Sequence, residues 1–151
     1  MFSFTISITL ILTLNLVLIL LIKFSTKISG AEAPDDIPIV EQFSILSNGT
    51  PNLLNELVKS NNLDGFFDEI FSIEQVGIYK PDFKVYEMPI KKYQIKKNEV
   101  AFLSSNTWDI SGAGNYGYNS VWVNRNNSTF DNLDYHPKNQ VCDLRGLIEI
   151  L

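Results

Sequence analysis

Three short polar clusters hold the side chains able to do chemistry: Ser47-Asn48-Gly49, Lys80 before Pro81, and Ser104-Ser105-Asn106-Thr107-Trp108-Asp109. Together they supply hydroxyls, two amides, one lysine and one carboxylate. That set suits a small carboxylate ligand, because Ser47 and the backbone at a helix N-terminus donate to an anion and Lys80 adds positive charge. It contains no activated nucleophile. His136 is the sole histidine and stands in a polar loop, residues 134–137, which reads as surface rather than as the base of a Ser-His pair. Cys142 is the sole cysteine. An intramolecular disulfide and a thiolate metal site are therefore excluded, and the residue reads as a small buried apolar one.

These clusters need elements to position them. From Phe43 onward, short apolar stretches alternate with helical ones, which predicts a parallel sheet covered by helices. Residues 43–46 read as a buried strand running into Ser47. Thr50 then caps a helix with Pro51 in its first position and Leu53, Leu54, Leu57 and Val58 as its buried stripe. Residues 66–73 and 76–78 read as a further strand region leading to Lys80. Residues 82–95 are helical, with a kink or break expected near 85–89 because Pro89 removes a backbone hydrogen bond. Residues 100–103 and 121–123 are the next strands, and 144–151 a closing helix. Ser47, Lys80 and Ser104 thus each follow a strand, at the edge of an α/β sheet where ligands bind.

The chain has 151 residues and is 45% hydrophobic, but much of that apolar content sits in residues 1–22, which carry no charged side chain. As a helix at ~1.5 Å per residue, that segment would span the ~30 Å hydrocarbon layer of a bilayer. The expected division is a transmembrane helix over 1–22, a linker over 23–41 and a globular part over 42–151. Lys23 and Lys27 would hold the globular part at the cytoplasmic face. Two other readings stay open. Ala31-Glu32-Ala33 offers a signal-peptide cleavage site and hence export. The alternation of Ile6, Ile8, Leu10, Leu12 and Leu14 has the period of a strand, and it also suits out-of-frame translation of a damaged gene, which would leave a plain cytoplasmic protein. The net charge of -5 gives no reason to expect nucleic acid. Lys91, Lys92, Lys96 and Lys97 read as a solvated helix face.

The ordered set Leu46-Ser47-Asn48-Gly49, Ile78-Tyr79-Lys80-Pro81 with Tyr86 six residues on, and Ser104 to Asp109 resembles the type II (S)-2-haloacid dehalogenases of the haloacid dehalogenase superfamily. The similarity extends from about Gln42 to the C-terminus and includes Phe66-Phe67-Asp68 and Val121-Trp122-Val123-Asn124-Arg125. It implies the C-terminal half of a Rossmann-like α/β core, a parallel sheet flanked by helices. It also implies that Ser47 and Asn48 hold the substrate carboxylate and the departing halide, and that Lys80 neutralises a catalytic aspartate. Ser104 and Asn106 would fix the lysine, Asp109 would orient the hydrolytic water, and Tyr86 and Trp108 would line the pocket. The family reaction is attack by an aspartate on the halogen-bearing carbon of a small 2-halo acid. Hydrolysis of the resulting ester then gives a 2-hydroxy acid, with no metal and no other cofactor. The magnesium-dependent branch of the superfamily carries a further acidic residue where this chain has Ser105.

Family members begin with a central strand ending in the nucleophilic aspartate, followed by a helical cap. Neither is expected here, because Asp35 and Asp36, the only aspartates before Ser47, lie in a Pro-flanked acidic stretch. In the family that strand lies between those near Phe43 and Val100, so its absence leaves two exposed edges. The first reading is therefore a truncated hydrolase with little activity alone, needing a dimer or a complementing fragment, or taking a substitute strand from residues 1–22. The alternatives are a membrane-tethered small-carboxylate binding module and a non-functional gene remnant.

Overall fold

A computed structural model of the chain describes residues 20–25 and 39–149. Strand β1 is Leu20–Ser25 and β2 is Ile39–Ser47, followed by helix α1, Pro51–Ser60. Then come β3 (Glu69–Ser72), α2 (Phe83–Tyr93), β4 (Val100–Ser104), α3 (Thr107–Tyr116), β5 (Asn119–Val123) and β6 (Asn139–Val141). Single turns of 3-10 helix occupy Ile73–Gln75 and Lys97–Glu99, and a longer one Leu144–Glu149.

The strands make one sheet in the order β3-β2-β1-β4-β5-β6. β2 with β3, β4 with β5, and β5 with β6 pair in parallel. β1 pairs antiparallel with both β2 and β4, placing Leu20 opposite Ile45 on one side and Leu103 on the other. The expectation of an all-parallel sheet is therefore corrected at its centre. The membrane helix expected over 1–22 does not extend through its last three residues, since Leu20, Leu21 and Ile22 belong to β1, which runs on to Ser25 in the stretch expected as linker. Residues 1–19 and the acidic stretch with Asp35 and Asp36 lie outside the described residues. The physical reason for β1 is the pair of edges left by β2 and β4, whose backbone N–H and C=O groups must be satisfied. Leu20–Ser25 satisfies both rows at once. No helix among the described residues is long and apolar enough to cross a membrane.

Side chains alternate across the sheet into two cores. Leu46, Phe102 and Trp122 face one side with Val85, Tyr86, Ile110 and Tyr116 of α2 and α3. Ile45, Ala101, Leu103, Val121 and Val123 face the other, against Val58 of α1 and Leu144 and Leu147. With both faces covered, β4 is buried at every position, which is why it reads as a continuous apolar run.

Several local expectations are refined. Thr50 caps α1 through Leu53 N–H, but Leu53 itself is exposed, and only Leu54 and Val58 of the stripe are fully buried. Asp82 caps α2 through Lys84 N–H, and α2 runs unbroken through Pro89. Its buried contacts hold the helix across the missing bond. The region 76–78 is a turn rather than a strand, and the closing helix is 3-10. Cys142 is exposed, since the chain leaves β6 there and turns to solvent. Lys91 and Lys92 are solvated and pair with Glu87 and Glu69. Gly117 ends α3 with φ of 112°, a left-handed cap that a side chain would strain.

Candidate functional site

β2 and β4 end at Ser47 and Ser104 on the same edge of the sheet, and the chain from β3 reaches that edge through the 3-10 turn before Lys80. Gly49 N–H donates to Ser47 Oγ at 3.1 Å, and Ser72 Oγ donates to the Gly49 carbonyl at 2.7 Å, so the turn after β2 is tied to the end of β3. Asn48 Oδ1 accepts from the Lys80 backbone N–H at 3.0 Å. The first two clusters are thus joined directly.

The lysine then turns inward. Its Nζ lies 2.9 Å from Asp109 Oδ2 and donates to the Leu46 carbonyl at 3.2 Å. Phe102 and Trp108 each place a ring centroid 5.9 Å from it. Asp109 stands in the first turn of α3, where the helix dipole favours a carboxylate. Its Oδ1 accepts from Tyr86 OH at 2.8 Å, and its Oδ2 also accepts from Ser104 Oγ at 3.3 Å. Ser104 Oγ in turn accepts from Asn106 N–H at 3.1 Å. The structure thus brings Lys80, Asp109, Ser104 and Tyr86 into one buried network, steadied by Asn48 from above and by the Asn106 backbone.

Ser47 stands half-buried at the rim and Trp108 is 40% exposed. Asn106 makes no side-chain capping bond at the start of α3. Tyr86 is 0% exposed, so its hydroxyl meets the carboxylate rather than open solvent.

Burial pushes the Lys80 ammonium below the ordinary lysine range, and the charge and hydrogen bond of Asp109 oppose that push. Burial likewise drives the Tyr86 phenol far above the ordinary tyrosine range, with the neighbouring Asp109 charge and hydrogen bond adding to it. Tyr86 is thus a fixed proton donor to Asp109. Lys80 Nζ carries three protons, and the two bonds named use two of them. Asp109 accepts from three donors and is fully buried, which suits an orienting group better than an attacking one.

Two contributors escape a reading of the motifs alone. Tyr118 donates its buried hydroxyl to the Tyr86 carbonyl and so fixes the helix that carries the phenol. Nothing in its sequence neighbourhood marks that role. Arg125 follows β5 at the same edge as Ser47 and Ser104 and lines a cavity there. Its place just after a strand was a legible signal. Among the described residues no cluster of three His, Cys, Asp or Glu side chains is placed to hold a metal ion.

Residues 41–123 match the family of haloacid dehalogenase-like hydrolases. The chain is 32% identical over 124 residues to an (S)-2-haloacid dehalogenase of Pseudomonas sp. (strain YL), covering 80% of this chain and 53% of that protein. It is 38% identical over 100 residues to an (S)-2-haloacid dehalogenase of Pseudomonas putida, covering 66% and 44%. A dehalogenase crystal structure superposes with a TM-score of 0.69 at 37% identity, covering 72% of this chain and 48% of that one. The L-2-haloacid dehalogenase of Xanthobacter autotrophicus with chloropropionic acid covalently bound superposes at 0.64 and 25% identity, covering 71% and 53%. The chain spans about half the length of the curated relatives it matches.

Proposed function

Because this chain belongs to the haloacid dehalogenase-like hydrolases, we propose that its Lys80–Asp109 centre is the lysine-orienting half of a 2-haloacid dehalogenase site, and that the polypeptide alone does not turn over halo acids. In this reading Ser47 and Asn48 receive the substrate carboxylate and halide, and Trp108 borders the acyl part. Tyr86, Ser104 and Asp109 hold Lys80, whose remaining proton serves a nucleophilic carboxylate. The relative with covalently bound chloropropionic acid supports a small 2-halo acid as substrate class.

One observation carries the statement about turnover. The slot between β2 and β4 holds β1, which runs opposite to its neighbours and whose sequence, Leu-Leu-Ile-Lys-Phe-Ser, has no carboxylate. A strand that delivers a nucleophile at its carboxyl end to the Ser47 and Ser104 edge has to run parallel to β2 and β4. A carboxylate-bearing strand from another chain would have to displace β1.

The test is chloride release from (S)-2-chloropropionate by the purified full chain. The expected rate equals that of the protein-free blank, because in this reading no carboxylate stands in the β1 slot to attack the halogen-bearing carbon faster than water does. Turnover above a Lys80→Ala control would overturn this reading.

A further inference from the structure

Leu53, Tyr79, Phe83 and Trp108 are the large apolar side chains left exposed among the described residues, and all four stand at the carboxyl edge of the sheet. Leu53 is in the first turn of α1, Phe83 and Trp108 stand at the starts of α2 and α3, and Tyr79 immediately precedes Lys80. They also adjoin one centre. The Trp108 ring centroid lies 5.9 Å from Lys80 Nζ, and Asn48, just ahead of α1, accepts from the Lys80 backbone N–H. Scattered exposed apolar residues are ordinary on a protein surface, whereas a set confined to one rim marks a surface that something covers. We infer that residues 1–19 of this chain cover that rim and close the mouth of the Lys80–Asp109 centre.

The direction of β1 is the first reason. Leu20 pairs with Ile45 on one side and Leu103 on the other, so β1 begins at the edge where β2 and β4 end in Ser47 and Ser104. The chain ahead of Leu20 therefore leaves the sheet between those two serines. Neighbouring strands sit ~4.8 Å apart, which puts the ends of β2 and β4 about 10 Å from each other with the lysine centre beside them. A β1 parallel to its neighbours would have delivered the same residues to the opposite edge.

Chemistry and reach are the second reason. Residues 1–19 hold no Asp, Glu, Lys or Arg, and their apolar side chains gain from leaving water, as do the four on the rim. Nineteen residues span about 28 Å even as a helix and roughly 60 Å when extended, several times the distance between those strand ends. The tether starts within the rim itself. Its local concentration, on the order of millimolar, favours this contact over the same contact with a second copy. None of these features depends on the dehalogenase reading, and chloride release plays no part in the test.

Of the two tryptophans, Trp108 is exposed and Trp122 buried, so acrylamide quenching of intrinsic fluorescence reads access to Trp108. The full chain is compared with its Leu10→Asp/Leu12→Asp variant, in which two carboxylates oppose an apolar contact. Quenching is expected to be at least twofold steeper in the variant, and the difference to vanish when both proteins carry Trp108→Phe. Equal quenching, with native near-ultraviolet circular dichroism kept by the variant, overturns the cover. Wild-type quenching that steepens on dilution makes a second copy the occupant and overturns it too. Should the variant lose its native dichroism, disulfide trapping takes its place in a Cys142→Ser full chain. There Tyr79→Cys is combined in turn with Ser3→Cys, Ser7→Cys or Thr13→Cys, and at least one pair is expected to close within one chain on mild oxidation. Bonds only between chains, or none, overturn residues 1–19 as the occupant.

Discussion

Lys80 Nζ and Asp109 Oδ2 lie 2.9 Å apart with their side chains 1% and 0% exposed, a salt bridge sealed inside the carboxyl edge of the sheet. Three chain segments meet in it: the loop after β3, the first turn of α3, and the end of β2 through the Leu46 carbonyl. Removing one partner of such a pair strands the other charge. Lys80→Met is expected to lower stability by about 3–5 kcal/mol, and the double variant Lys80→Met/Asp109→Leu to regain part of it. Urea denaturation of the single and double variants checks both.

The buried phenols set the alkaline limit. Tyr86 and Tyr118 are held by burial far above the ordinary tyrosine range. Their contribution is fully present below about pH 10, the unfolded value, and is lost as pH rises above it, because only the unfolded chain readily gives up those protons. Lys80 acts in the opposite sense, since its lowered value lets stability rise as pH approaches the ordinary lysine range. The lysine contribution levels off above the ordinary lysine range, where folded and unfolded chains have both lost that proton, while the phenol contribution goes on falling. The melting temperature is expected to fall above pH 10, and less steeply in Tyr118→Phe, with tyrosinate absorbance at 295 nm tracking the loss of fold.

Ile22 pairs with Phe43 on one side and Ala101 on the other. A proline there removes a ladder donor from a strand with neighbours on both sides. Ile22→Pro is expected to lower the denaturation midpoint and to speed amide exchange in β2 and β4. A wild-type midpoint would show that Leu20–Ser25 does not fill the central slot.

Gly112 lets α3 approach the site closely. A Cβ there would lie 2.7 Å from both the Tyr86 hydroxyl and Pro81 Cβ. Gly112→Ala is expected to cost about 1–3 kcal/mol through forced shifts of packed neighbours. Thermal melts measure the loss.

The motifs after β2 and β4 were legible because the strands that deliver them are short apolar runs, and a site at the carboxyl edge follows from their shared direction. The chemistry of Lys80 was legible only in outline. Spacing shows that Lys80, Tyr86 and Asp109 recur in a known order. It does not show that Tyr86 turns its hydroxyl onto the carboxylate, nor that Asn48 holds the lysine by its backbone. Those contacts depend on where α2 and α3 pack, and side-chain packing is a long-range outcome. Cys142 and Leu53 show the same limit. Both have apolar side chains, and their exposure follows from the positions the chain gives them rather than from residue type.

By itself, the amino-acid order determined which residues are polar at the strand ends, that the chain carries no obvious nucleophile among them, and that its core is an α/β sheet with helices on its faces. These are local properties, written in periodicity and residue type. Only the tertiary structure decided what becomes of Leu20–Ser25. Residues 20–22 read as the end of a membrane helix and residues 23–25 as linker until β2 and β4 present two rows of unsatisfied backbone groups. Hydrogen bonding to both edges then fixes the segment as a reversed central strand.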